Sequence, residues 1–167
     1  MKKYALLFLL FVQSMNAYCG DAEYPLTTAV SGVVKQVLVK SGEKVKQGQI
    51  LLVLDQRVIK ARLQAAEKKL ESAKLDLAEV KKELERTEEL YDRTVISNHE
   101  LEVAKVNFAR AEAAFSNVNE EHAKAQYDMD YSQIVSPIAG KVKQLNAWVG
   151  MVVNNAQQNT TLITLVK

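Results

Sequence analysis

The feature that most limits what this chain can fold into is a pair of coiled-coil rhythms separated by a handful of residues. From Gln56 to Tyr91 no glycine or proline occurs, and apolar or small residues fall at Ile59, Leu63, Ala66, Leu70, Ala73, Leu77, Val80 and Leu84. The intervals alternate between four and three. That average of 3.5 residues keeps one stripe of an α-helix facing a partner helix, and the faces between carry Glu and Lys. One more heptad reaches Thr87 and Tyr91. A second run with the same spacing passes through Leu101, Ala104, Phe108, Ala111, Phe115, Val118, His122, Ala125 and Met129.

Between the two runs lie Asp92 to Ile96, followed by Ser97-Asn98-His99-Glu100. Ser97 and Glu100 have the spacing of a capping box, in which hydroxyl and carboxylate each satisfy a backbone N–H of the first turn. The second helix is expected to start there. Two helices of nearly equal length joined so tightly must fold back on one another, giving an antiparallel hairpin over residues 56–131 with its tip near 92–98. At ~1.5 Å per residue such a hairpin projects about 50 Å. Alanines at Ala66, Ala73, Ala104, Ala111 and Ala125 allow close approach but bury little area, so the hairpin should depend on whatever holds its base.

The flanks change period. Residues 24–55 alternate β-branched residues with glycines: Gly32-Val33-Val34, Val37-Leu38-Val39, Val45, then Ile50 to Leu54, with turns expected at Ser41-Gly42 and Gln47-Gly48. These read as four short strands. The pattern returns over residues 133–167, in Gln133 to Val142, Val149 to Val153 and Thr161 to Val166. Each half has a Gly-x-Val strand and a later glycine turn. Neither could bury an apolar face alone, so the two halves are expected to pair into one small β-sandwich, an α+β architecture split by the hairpin.

Composition excludes several classes of function. The chain carries 22 Lys and Arg against 20 Asp and Glu, with no basic cluster that would favour a nucleic-acid partner. The N-terminus reads as an export signal of 1–20: Lys2-Lys3 precede an apolar run from Tyr4 to Val12, which ends in polar and small residues. Nine residues are too few to span a bilayer core of ~30 Å. Met15 is large for a cleavage site that follows Ala17, which leaves an uncleaved weak anchor as the alternative. Cys19, the one cysteine, has no intramolecular partner. It is either an incidental thiol or a lipidation site, against which Tyr18 argues.

The half-motifs Gly32-Val33, Val37, Val39, Gly42, Val45, Gly48, Leu51 and Asp55, and then Ser136-Pro137-Ile138-Ala139-Gly140-Lys141-Val142 and Val149-Gly150, resemble those of a biotinyl/lipoyl domain. With a helical hairpin inserted, the chain resembles the periplasmic adaptor subunits (membrane fusion proteins) of HlyD/RND-type tripartite efflux pumps. The resemblance implies a lipoyl-like β-sandwich, or barrel-sandwich hybrid, and a non-enzymatic connector in the periplasm. It also implies a tip that engages a TolC-like outer-membrane factor, because Arg86, Leu90 and Ser97 match the spacing of the arginine, leucine and serine motif of RND-class adaptors. Those residue types suit docking: a guanidinium for bidentate bonds, an apolar anchor and a hydroxyl. The bland reading is an Arg86 paired with Glu83 or Glu89, a Leu90 covering the hairpin end and a Ser97 that only caps.

Carrier domains offer a modifiable lysine at a turn between their halves. Here Asp55-Gln56-Arg57 leads directly into the hairpin, so no covalent cofactor is expected. His122 has no second ligand at suitable spacing and reads as a tolerated polar residue of the seam, and His99 lies near the opposite end. Trp148 is expected to pack on the β-module or its rim. Complete adaptors add a β-barrel and a membrane-proximal domain that meet an inner-membrane transporter, and residues 24–167 match neither. Two readings follow: an adaptor acting as a homo-oligomer, or an accessory or split subunit that mixes with a full adaptor or serves another exporter.

Overall fold

The structure, a computed structural model, describes residues 22–154 and 160–167. The expected signal over 1–20 and the alternatives for Cys19 lie outside the described residues. The first half of the β-module comprises β1 (Glu23–Leu26), β2 (Gly32–Val37), β3 (Lys44–Val45) and β4 (Ile50–Leu54), and the second comprises β5 (Gln133–Val135), β6 (Gly140–Leu145), β7 (Val152–Val153) and β8 (Ile163–Val166). Between them stand α1 (Arg57–Asp92) and α2 (Asn98–Asp130).

The strands form two four-stranded antiparallel sheets, ordered β1-β8-β6-β3 and β5-β4-β2-β7. Each sheet takes two strands from each half, since β1 and β3 flank β8 and β6 in one, and β5 and β7 flank β4 and β2 in the other. The halves are related almost residue for residue. Gly42 N–H donates to the Val142 carbonyl and Gly150 N–H to the Val34 carbonyl, both at 2.8 Å. Leu38 N–H meets Leu51 as Asn146 N–H meets Leu162, again at 2.8 Å. Gly42 and Gly150 occupy the left-handed region, at φ 86° and 88°, which glycine enters without a Cβ clash. The internal repeat in the sequence is thus a pseudo-two-fold exchange of strands.

The sheets enclose one core, whose fully buried centre is Leu51, Leu52, Leu54, Leu162, Ile163 and Leu165 with Val34 and Val142. Burying each such side chain stabilises the fold by about 1.5–3 kcal/mol. The strand assignment departs from the sequence reading in one place. Val37-Leu38-Val39 is no separate strand; β2 runs unbroken from Gly32 to Val37, and the fourth strand of the half is Glu23–Leu26. The register shift between Val34 and Gln36 lets the chain bend there, so Val39 is still buried beyond the end of the strand.

The seam of the hairpin follows the spacing from Ile59 to Thr87 on α1 and from Leu101 to Met129 on α2, each position buried or half-buried. The Thr87 hydroxyl donates to the Glu83 carbonyl at 2.7 Å, so this polar seam residue leaves no donor unsatisfied. The last step departs from the heptad: Tyr91 is exposed and Leu90 turns inward, three residues after Thr87 rather than four. His122 is half-buried on the seam, and no metal-binding cluster exists among the described residues. Trp148 corrects the expectation of packing, because 62% of it is exposed beside the Gly150 turn.

The base pins the hairpin firmly. Leu54 N–H donates to the Ser132 carbonyl at 2.8 Å, and the Gln56 side-chain amide donates to Ser132 Oγ at 2.7 Å. Ser132 Oγ in turn donates to the Met129 carbonyl at 2.6 Å, so a fully buried serine ties both helix roots to the sheet. Beside it, the Arg57 guanidinium lowers the Asp55 carboxyl to about 2. Among the described residues no helix is long and apolar enough to cross a membrane.

Candidate partner-binding site at the hairpin tip

The tip is closed by complementary helix ends. α1 stops because Thr94 adopts φ 60°, letting Thr94 N–H reach the Tyr91 carbonyl at 2.8 Å and Val95 N–H the Leu90 carbonyl at 3.0 Å. This is the paired Schellman closure, with threonine where glycine usually stands. α2 starts at the full capping box: Glu100 N–H donates to Ser97 Oγ at 3.3 Å, and Ser97 N–H donates to Glu100 Oε2 at 2.8 Å. Those Ser97 donors hold the Glu100 carboxyl below its ordinary range, backbone N–H first and hydroxyl second.

A groove of about 500 Å³ opens between the helices just below this closure. Val80, Leu84, Leu90, Ile96 and Val103 supply apolar walls, and Glu83, Thr87, His99, Glu100 and Asn107 a polar rim. Of the three candidate residues, Leu90 lines the groove. Arg86 lies outside it, exposed and ion-paired to Glu83, which keeps its guanidinium firmly protonated. Ser97 is occupied by its cap, its Oγ donating to Glu100 Oε2 at 2.9 Å. Arg86, Leu90 and Ser97 therefore share the tip without converging on one pocket; Arg86 pairs with Glu83 and Ser97 caps α2, while Leu90 lines the groove.

Sequence reasoning missed the groove and its α2 wall. The available signal was Val103, an exposed valine near the tip and off the seam that lines the groove. The arrangement offers an apolar slot flanked by one cation and several acceptors.

Comparison with known proteins agrees with this architecture. Residues 24–165 match the family model described as RND MFP, barrel-sandwich hybrid domain. The multidrug resistance protein MdtA of Pectobacterium carotovorum is 27% identical over 138 residues, covering 83% of this chain and 33% of that protein. The antibiotic efflux pump periplasmic linker protein ArpA of Pseudomonas putida is 30% identical over 128 residues, covering 77% and 31%. A crystal structure of a MacA-MexA chimeric protein, carrying the Pseudomonas aeruginosa MexA alpha-hairpin domain, is similar at a TM-score of 0.57 and 26% identity, covering 87% of this chain and 46% of the chimera. The chain spans about a third of the length of these curated relatives. A split barrel-sandwich module, a two-helix hairpin and a family match across 24–165 together show that the chain belongs to the RND-type membrane fusion proteins, the periplasmic adaptors of efflux pumps.

Proposed function

We propose that this chain acts as a non-enzymatic periplasmic adaptor in a tripartite efflux system, with its hairpin tip docking on a TolC-like outer-membrane factor. The observation that carries the reading is the apolar groove at the far end of the hairpin, with Leu90 on its wall and Arg86 beside it. A helical duct end that offered an apolar side chain to the groove and a carboxylate or carbonyl to Arg86 would break only the exposed Arg86–Glu83 pair. Such exposed pairs are worth little, so that exchange carries a small penalty. Several copies would stand side by side around the duct, and an inner-membrane transporter would select the substrate.

The test is a photo-reactive probe at Leu90 in cells that co-express the duct protein. Docking predicts a cross-link to the duct and loss of efflux on Arg86→Asp or Leu90→Asp. Normal efflux in both variants, with no cross-link, would sink the reading.

A further inference from the structure

The β-module carries its charge unevenly. Residues 22–55 and 132–167 hold seven lysines and no arginine, against Glu23, Glu43 and Asp55. Asp55 is bound to Arg57 at the hairpin root, and the Glu43 carboxylate accepts from Lys40 N–H at 2.9 Å. Lys44 and Lys141 stand directly opposite one another on β3 and β6, both exposed, and neither has an ion pair among the described residues. Like charges in that relation are destabilising. The fold does not require them, because the corresponding pair in the exchanged halves is Val152 and Val33. A lysine on β3 alone would guard a sheet edge against strand addition. Lys141 and Lys143 lie on β6, an interior strand, where no such guard is needed.

These lysines gather at the end of the module away from the helices. The turn over residues 46–49 joins β3 to β4, and β4 then runs from Ile50 to Leu54, ~15 Å, before the hairpin begins. Glu23, Val166 and Lys141 fall in one row across β1, β8 and β6, so the chain also enters the module at this end. A shallow recess of about 390 Å³ opens beside that row, lined by Ser41, Gly42, Lys141, Val142, Lys143 and Val166. No carboxylate lines it. Glu23, the exposed partner of Lys143, lies outside it, and such exposed pairs are weak. Two ammonium groups over an uncharged floor suit a phosphate, which a lysine meets as a compact point charge. The setting favours a phosphate in a bilayer. Ten residues separate Glu23 from the apolar run Tyr4 to Val12, and that run, as export signal or as anchor, is the part of the chain that meets lipid.

We propose that this end of the module rests on an anionic bilayer, with a phosphate headgroup in the recess between Lys141 and Lys143 and with Lys44 beside it. The hairpin then points away from that bilayer, in keeping with the docking reading, but the contact needs no duct and is measured without one. The test is flotation of the full chain with vesicles of phosphatidylcholine alone, and of phosphatidylcholine and phosphatidylglycerol in equal parts. A lysine at an anionic surface contributes roughly fivefold to binding, so Lys44→Gln with Lys141→Gln should weaken binding to the anionic vesicles about tenfold or more. Binding to the neutral vesicles should not change, and high salt should remove the difference between the two lipids. Lys74→Gln with Lys82→Gln, which takes the same charge from the hairpin, should have an effect below about twofold. In denaturant the Lys44 and Lys141 double variant should be no less stable than the parent, since a like-charge pair is relieved. If it unfolds, Lys141→Gln alone gives the readout, at roughly fivefold. Equal weakening by both pairs, equal binding of the parent to both kinds of vesicle, or release by inorganic phosphate at constant ionic strength would overturn the proposal. Its failure with the Leu90–duct cross-link intact leaves docking standing, and loss of that cross-link with lysine-dependent vesicle binding intact refutes docking alone.

Discussion

Val95 N–H donates to the Leu90 carbonyl across Thr94, at 3.0 Å, and so ties the end of the first helix to the residue that walls the tip groove. The bond requires a left-handed residue between them, and a β-branched side chain is an outlier in that conformation, at roughly 1–2 kcal/mol. Thr94→Gly should therefore stabilise the protein by about 0.5–1 kcal/mol, after allowance for the greater freedom of glycine in the unfolded chain. Denaturant unfolding with an unchanged m-value would check it; a loss of stability would show that Thr94 is unstrained.

The two strand-opening glycines should respond very differently to a methyl group. A Cβ on Gly140 would lie 2.2 Å from the Val166 carbonyl oxygen, whereas one on Gly32 would meet Leu54 Cδ1 at an ordinary 3.5 Å. Because the first contact is backbone in a paired strand, Gly140→Ala should cost on the order of 3 kcal/mol or prevent folding, and Gly32→Ala less than about 1. Chemical denaturation of both variants separates these outcomes.

The capping box yields a prediction with a pH sign. Glu100 titrates below its ordinary range in the folded chain because it accepts from Ser97. A depressed acid contributes stability above its unfolded pKa and loses that contribution as pH falls through the folded value, so the cap should fade only on acidification. Ser97→Ala should lower stability by about 1 kcal/mol near neutral pH, with the gap to the parent narrowing in acid. Ser97→Asp should restore the cap, so an efflux defect that persists in Ser97→Asp would mark a hydroxyl needed by the partner.

His122 tests the seam. A half-buried imidazole on the seam forgoes packing that leucine would gain, so His122→Leu should raise the melting temperature by about 2–4 °C, equivalent to ~1 kcal/mol. An unchanged or lower melting point would mean that the imidazole holds a contact worth more than the leucine packing.

The hairpin was legible because its signal is periodic: the positions from Ile59 to Thr87 follow from spacing alone, and Ser97-x-x-Glu100 marks the start of α2 in letters. The β-module was legible only as a repeat. Which strands exchange depends on pairings such as Val33 with Val152, more than a hundred residues apart, and no local pattern encodes that register. The inward turn of Leu90 instead of Tyr91 was hidden for a related reason. It falls where the chain is about to reverse at the left-handed Thr94, a conformation that threonine rarely announces. Trp148 misled because a large aromatic is more often buried, whereas here it stands exposed beside the Gly150 turn.

Ser132 sits where both helices leave the sheet, and geometry gives that position leverage. A rocking of about 5° at the root of a hairpin of ~50 Å carries the tip sideways by roughly 4 Å, close to the width of one contact between side chains. A single buried hydroxyl, held by Gln56 and Met129, therefore sets the aim of the far end as well as the stability of the near one.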